Sequence, residues 1–201
     1  MKKIVICEGK FDNIFLNTIL KELDILEDEV KVFNIEKVPK EKRRIIETAE
    51  IGSFIDKNNS KKIFIKIENG KDYALKIYSH IMPHCAREIN HCCLILDLDT
   101  ENVESKLKKI QEKLKYLRRA NPIEMTIEEK GKHEHLHHFH GIIKTKKSKR
   151  DIGNFKIIFF KKSLEISCNI NKQEDGEEDK IRKIEEFVIR EEISKFFKDI
   201  I

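Results

Sequence analysis

Apolar positions change their period along this chain, and the change marks its plan. Ile4-Val5-Ile6-Cys7 is a short unbroken apolar run, as in a strand buried on both faces, and it stops at Glu8-Gly9. Phe11, Ile14, Phe15, Leu16, Ile19, Leu20 and Leu23 then follow at helical spacing. The pattern predicts strand, tight turn, helix, with Glu8 at the carboxyl end of the strand. In open α/β sheets that end is where sites are built. Residues 30–35 alternate as a short strand, and Pro39 opens a charged helix over about 40–56 that Asn58-Asn59-Ser60 ends. A further strand is expected at 61–67, a turn at 68–72 and a helix at 73–82 closed by Pro83. Residues 92–98 read as a strand again. Asp99 or Thr100 can cap a helix over 103–119 whose Val103, Leu107, Ile110, Leu114 and Leu117 share one face.

Strands alternating with helices imply right-handed βαβ units and a mostly parallel sheet. From Asn121 the character changes. Residues 123–128, 135–145, 155–160 and 164–170 look like strands, turned at Gly131, Gly153 and Lys161-Lys162-Ser163. A polar loop over 171–179 leads into one last amphipathic helix bearing Ile181, Ile184, Val188, Phe196 and Phe197. The expected fold class is α/β: a mostly parallel sheet flanked by helices over 1–120, then a β-rich extension with a closing helix over 121–201. One continuous mixed sheet is equally consistent with the pattern.

Composition narrows the class. Of 201 residues, 39% are hydrophobic and 38% charged, enough for a core under a strongly charged surface. Seven glycines and three prolines leave little room for a long disordered linker. The net charge of +5 permits an anionic partner without requiring one. Five unpatterned cysteines form no disulfide framework, and no apolar run reaches the length that crosses a bilayer. With a charged start that runs straight into a strand, a cytoplasmic protein is expected, with no membrane contact. The oligomeric state stays open, a homodimer included.

The chemistry lies in acids. The second strong strand, Cys92-Cys93-Leu94-Ile95-Leu96, ends in Asp97-Leu98-Asp99. If the strand continues through them, alternation points Asp97 and Asp99 to the same side. With Glu8 that brings three carboxylates to one sheet edge, a site for a hard divalent cation such as Mg²⁺, with Mn²⁺ as the alternative. Glu8 could be a further ligand, or stay unliganded as general acid or base with its pKa raised by the neighbouring acids. Asp12 joins the cluster or caps the helix. Gly9 is expected where a Cβ would crowd the turn, with its N–H turned toward a phosphate; Lys10 and Lys71, in the two flanking turns, could meet the same phosphate.

These residues resemble the Toprim domain shared by topoisomerases, bacterial-type primases and small nucleases. The resemblance rests on an apolar strand followed by Glu8-Gly9-Lys10-Phe11-Asp12 and a helix. The strand–turn–helix around Asn69-Gly70-Lys71-Asp72 and a later strand ending Asp97-Leu98-Asp99 complete it. It covers residues 1–18 and about 61–119, with 24–60 as an insertion. It implies Glu8 as general acid/base, Asp97 and Asp99 as Mg²⁺ ligands, and a nucleic-acid substrate, DNA or RNA, cut or processed at its phosphodiesters. Where many members have a glycine soon after Asp-x-Asp, this chain has Thr100-Glu101-Asn102, and Glu101 can supply an extra acid. The alternative is a Toprim-like scaffold that binds nucleic acid or protein without chemistry.

Other features have plainer readings. Residues 133–140 carry His133, His135, His137, His138 and His140. In a strand the first three share one face and the last two the other, and alternate imidazoles can bind Zn²⁺, Ni²⁺ or Cu²⁺. Without a cysteine pattern beside them, a polar strand that meets metal adventitiously is the preferred reading. His80, His84, Cys85, His91, Cys92 and Cys93 lack metal-ligand spacing, so the cysteines read as small buried hydrophobes. Residues 144–150 and the basic helix carrying Lys106, Lys109, Arg118 and Arg119 could track a phosphate backbone, though charge runs are usually solvated surface.

Overall fold

The computed structural model describes residues 2–88, 91–117, 123–149, 151–198 and 201. The elements run β1 (Lys3–Cys7), α1 (Lys10–Glu22), β2 (Val30–Asn34), α2 (Arg43–Ile55), β3 (Ile63–Ile67), α3 (Lys71–Glu88), β4 (His91–Asp97), α4 (Val103–Leu117), β5 (Ile123–Lys132), β6 (Leu136–Thr145), β7 (Asp151–Phe160), α5 (Leu164–Ser167), α6 (Glu177–Arg190) and α7 (Ile193–Phe197). They form one seven-stranded sheet in the order β2-β3-β1-β4-β7-β6-β5. Strands β2, β3, β1, β4 and β7 are parallel, and β6 and β5 extend the sheet as antiparallel neighbours. The fold is α/β with a mostly parallel sheet flanked by helices. The strands after residue 121 continue the first sheet, because β7 pairs directly with β4.

Two faces, two cores. Ile4 and Ile6 of β1 face a layer containing Phe54 of α2, Leu75 and Tyr78 of α3 and Ile110 of α4. Val5 and Cys7 face Phe15 and Leu16 of α1, Leu164 of α5, Phe187 of α6 and Phe197 of α7. Covering both faces is what lets β1 and β4 read as continuous apolar runs. Cys92 and Cys93 fall on opposite faces, each fully buried among hydrophobic residues. One charge interrupts β3: Lys66 is fully buried, ion-paired with Glu68, and 3.2 Å from Glu47 of α2. Paired in this way the buried ammonium is tolerable, and it ties α2 to the sheet.

Helices α2, α3 and α4 carry the chain toward the β5 edge on one face, while α1 carries it toward the β2 edge on the other. Uniform crossover handedness requires that split. The chain therefore leaves β1 and its neighbour β4 in opposite directions. A crevice opens at their carboxyl ends, the topological switch point of the sheet.

Four expectations need correction. Helix α3 does not close at Pro83 but runs on to Glu88. Residues 164–170 are not a strand: Ser163 caps a short helix, its side chain accepting from Ile166 N at 3.2 Å. The last helix is two, α6 and α7, broken where Glu192 adopts a left-handed φ of 51°. Gly131 and Gly153 sit within β5 and β7, and the hairpins turn instead at 133–135 and 146–149. The side chains of Pro83, His84, Cys85, His91, Leu114 and Leu117, together with Arg118, Arg119, Asn121 and Arg150, lie outside the described residues.

Candidate active site

At the switch point β1 delivers Glu8 and β4 ends on Asp97. Both border a cleft of about 120 Å³ completed by Gly9, Asp12, Gly70 and the start of α5. Each position has a local cause. Asp12 sits in the first turn of α1, and its Oδ2 accepts the Gly9 N–H at 2.9 Å, which caps the helix and turns the carboxylate inward. Asp97 is only 5% exposed, and its Oδ1 accepts the Leu164 N–H at 3.2 Å. That bond joins β4 to α5, and α5 contributes Glu165 to the rim.

Three of the four acids are pushed up by burial and by one another. Burial, reinforced by the Asp97 charge, pushes the Glu8 carboxyl up to about 7 against the opposing pull of Lys71. Burial likewise raises Asp97 to about 6, with Lys71 opposing and Glu165 adding to it. Asp12 is held well above the usual carboxylate range by burial and then by Asp97 and Glu8. Glu165 lies lower, because its bonds to Lys172, 2.8 Å away, and to nearby donors outweigh its burial. Glu8 Oε2 is buried with no hydrogen-bond partner. The mutual repulsion and the orphaned acceptor are features that a hard divalent cation bound here would relieve. Among the described residues the cleft acids do not close into three ligand atoms mutually within 4.8 Å. As placed, at most two of these carboxylates could meet on one cation, and the rest of its shell would be water.

Several expected site residues are placed differently. Asp99 does not continue the strand: β4 ends at Asp97, and Asp99 turns left-handed with φ 51°. It is half exposed, ion-paired with Lys71, and not among the residues that line the cleft. Lys71 is thus engaged by Asp99, and Lys10, on the cleft rim, by Glu177. Glu101 lies away from the cleft, 2.9 Å from Lys106 and 2.6 Å from Lys109, whose bonds hold it down to about 2. Gly9 has extended backbone, φ −160°, and an added Cβ would meet Asp12 Oδ2 only at 3.8 Å, so no crowding requires glycine there. Its N–H is spent on Asp12 rather than turned to a ligand. The glycine that the site needs is Gly70, at φ +93°, whose N–H donates to the Glu8 carbonyl at 3.0 Å and pins the two turns together.

A strand over 164–170 gives Glu165 no place at the site; the short helix α5 does. Its signal was Ser163 with an acid two residues on, a helix start. Ser163→Ala is expected to lower stability by about 1 kcal/mol, read as a shift of the urea midpoint at unchanged slope. Comparison with known protein families, curated proteins and solved structures finds no match. The fold and cleft define a class by themselves: an α/β protein with an acidic site at the switch point of its sheet.

Proposed function

We propose that this chain is a Toprim-like, Mg²⁺-dependent enzyme of phosphodiester chemistry on nucleic acid, a small nuclease or processing enzyme working in the cytoplasm. The observation that carries the reading is the convergence of Glu8, Asp12, Asp97 and Glu165 in one cleft between β1 and β4. Asp97 and Glu8 would hold the cation, which when bound neutralises phosphate charge and favours the attacking or leaving oxygen. Left off the cation, Glu8 would instead hold a proton for the leaving oxygen or take one from water, its carboxyl raised by burial. Lys71 and Lys10 exchange their carboxylate partners for substrate phosphates. Gly70 and the Leu164 N–H keep the two acids in place as this happens. No helix among the described residues is long and apolar enough to cross a membrane.

A specific observation favours the non-catalytic scaffold as second reading: Asp99 is committed to Lys71 rather than to the cleft. The two are separated by titrating Mg²⁺ calorimetrically into wild type and Asp97→Asn, with a cleavage screen on single- and double-stranded DNA and RNA. One Mg²⁺ site weakened at least about tenfold in the variant, with metal-dependent cleavage, supports the enzyme. Saturable nucleic-acid binding without metal dependence or cleavage supports the scaffold. Failure to bind either sinks both.

A further inference from the structure

We propose that Glu134, His135 and Glu191 form a second metal site, suited to a borderline transition dication of the Zn²⁺ kind. Among the described residues this is the one trio of ligand side chains whose donor atoms all lie within 4.8 Å of one another. The residues come from two distant turns. His133 and Leu136 exchange backbone hydrogen bonds of 3.0 and 3.4 Å, which closes the β5–β6 hairpin and puts Glu134 and His135 at its tip. Glu191 caps α6 just before the left-handed Glu192.

His133 is the strut between these turns. Its Nδ1 accepts the His135 N–H at 3.3 Å, so its Nε2 carries the proton and donates to the Glu191 carbonyl at 3.1 Å. Both nitrogens are thereby used, and His133 orients the ligands without being one. The His135 ring stands edge-on to Phe187 at 5.0 Å, which sets its plane. His135 Nε2 lies 3.9 Å from Glu191 Oε2, beyond hydrogen-bond reach. With bonds of about 2.0–2.2 Å, neighbouring donors around tetrahedral zinc stand roughly 3.4 Å apart. Small rotations of exposed Glu134 and half-buried Glu191 toward His135 would close the set.

All three ligands line a cavity of about 460 Å³, so a fourth position stays open to water or an anion. Lys161 and Lys162 line the same cavity and would favour an anion there. One imidazole and two carboxylates discriminate against Mg²⁺, which prefers an all-oxygen shell. The site is thus chemically distinct from the acidic cleft and does not rest on the function proposed for it. Strand parity could not reveal it, since His133 and His135 lie in the hairpin turn and two of the ligands are glutamates.

The test is Zn²⁺ titration of the metal-free full chain by calorimetry, with Co²⁺ substitution followed by visible absorption. One equivalent, tetrahedral Co²⁺ bands and a raised thermal midpoint are expected. His135→Ala and Glu134→Gln should each weaken binding at least about tenfold. Asp97→Asn and His137→Ala should leave it unchanged. Glu134 is exposed, so its variant serves even if His135→Ala disturbs the hairpin. Absence of saturable binding overturns the proposal. So does weak binding that His135→Ala and His137→Ala reduce alike, which would mark adventitious capture by the histidine-rich strand.

Discussion

If the chain carries out the proposed metal-dependent cleavage, Glu8→Gln is expected to lower it by a factor of about 10²–10⁴, the usual worth of a positioned proton donor or acceptor. The same substitution should stabilise the metal-free protein at neutral pH. Glu8 has a folded value of about 7 against an ordinary 4.5. Between those limits the folded chain keeps a proton that the unfolded chain has lost, so stability falls as pH rises through the window. Asp97, raised from 3.8 to about 6, adds a loss of the same sign beginning slightly lower. The Glu8 share is on the order of 3 kcal/mol. Urea midpoints from pH 4 to 8 should decline in wild type without metal and decline less in Glu8→Gln. If the cleft binds Mg²⁺ as proposed, saturating Mg²⁺ should flatten the wild-type profile by placing positive charge beside the two acids. Parallel pH profiles for wild type and variant would show that Glu8 is not the strained acid. Unchanged cleavage in the variant would remove it from catalysis.

Gly141→Val is expected to destabilise the fold by about 3 kcal/mol, for a reason unconnected with chemistry. Gly141 of β6 lies directly opposite Phe155 of β7, at the seam where the sheet turns from parallel to antiparallel. The Phe155 ring lies across the glycine: a Cβ there would stand 1.8 Å from Cζ and 2.2 Å from Cε1. The ring has no room to retreat, being fully buried and set edge-on to Tyr78 at 6.4 Å. Tyr78 is itself anchored by its hydroxyl, which donates to the Lys156 carbonyl at 3.1 Å. Gly141→Ala should therefore approach the valine in effect, since the clash begins at Cβ. Replacing Phe155 with leucine in the same chain should recover part of the loss, visible as coupling in a double-mutant cycle. Gly52→Ala is the control. It lies in α2 with nothing within 4 Å of an added Cβ, and should stabilise by up to about 1 kcal/mol. A urea midpoint for Gly141→Ala equal to that of wild type would mean the ring is free to move.

The order of elements was legible because period and run length are local properties. An apolar run stopping at Glu8-Gly9, and another stopping at Asp97, announced two buried parallel strands with acids at their carboxyl ends. The structure puts those ends side by side across the switch point. Expectations failed where a single capping or pairing choice outweighed the pattern. Ser163 makes a helix of an apolar stretch that alternates well enough for a strand. Asp99 leaves the alternation because the strand ends two residues earlier and Lys71 takes its charge. Glu165 reaches the cleft only through the Asp97–Leu164 hydrogen bond, and Glu134 reaches Glu191 only when the β5–β6 hairpin packs against the end of α6. The α/β plan, the two strong strands and an acid at the carboxyl end of each could be read along the chain, since burial on both faces is written as unbroken apolar runs. That β1 and β4 are neighbours, bringing Glu8 and Asp97 to one edge, came from the pairing of the strands. Which further acids join them, and which histidine meets which glutamate, was decided by tertiary structure, because contacts between distant turns leave no periodic trace in the chain.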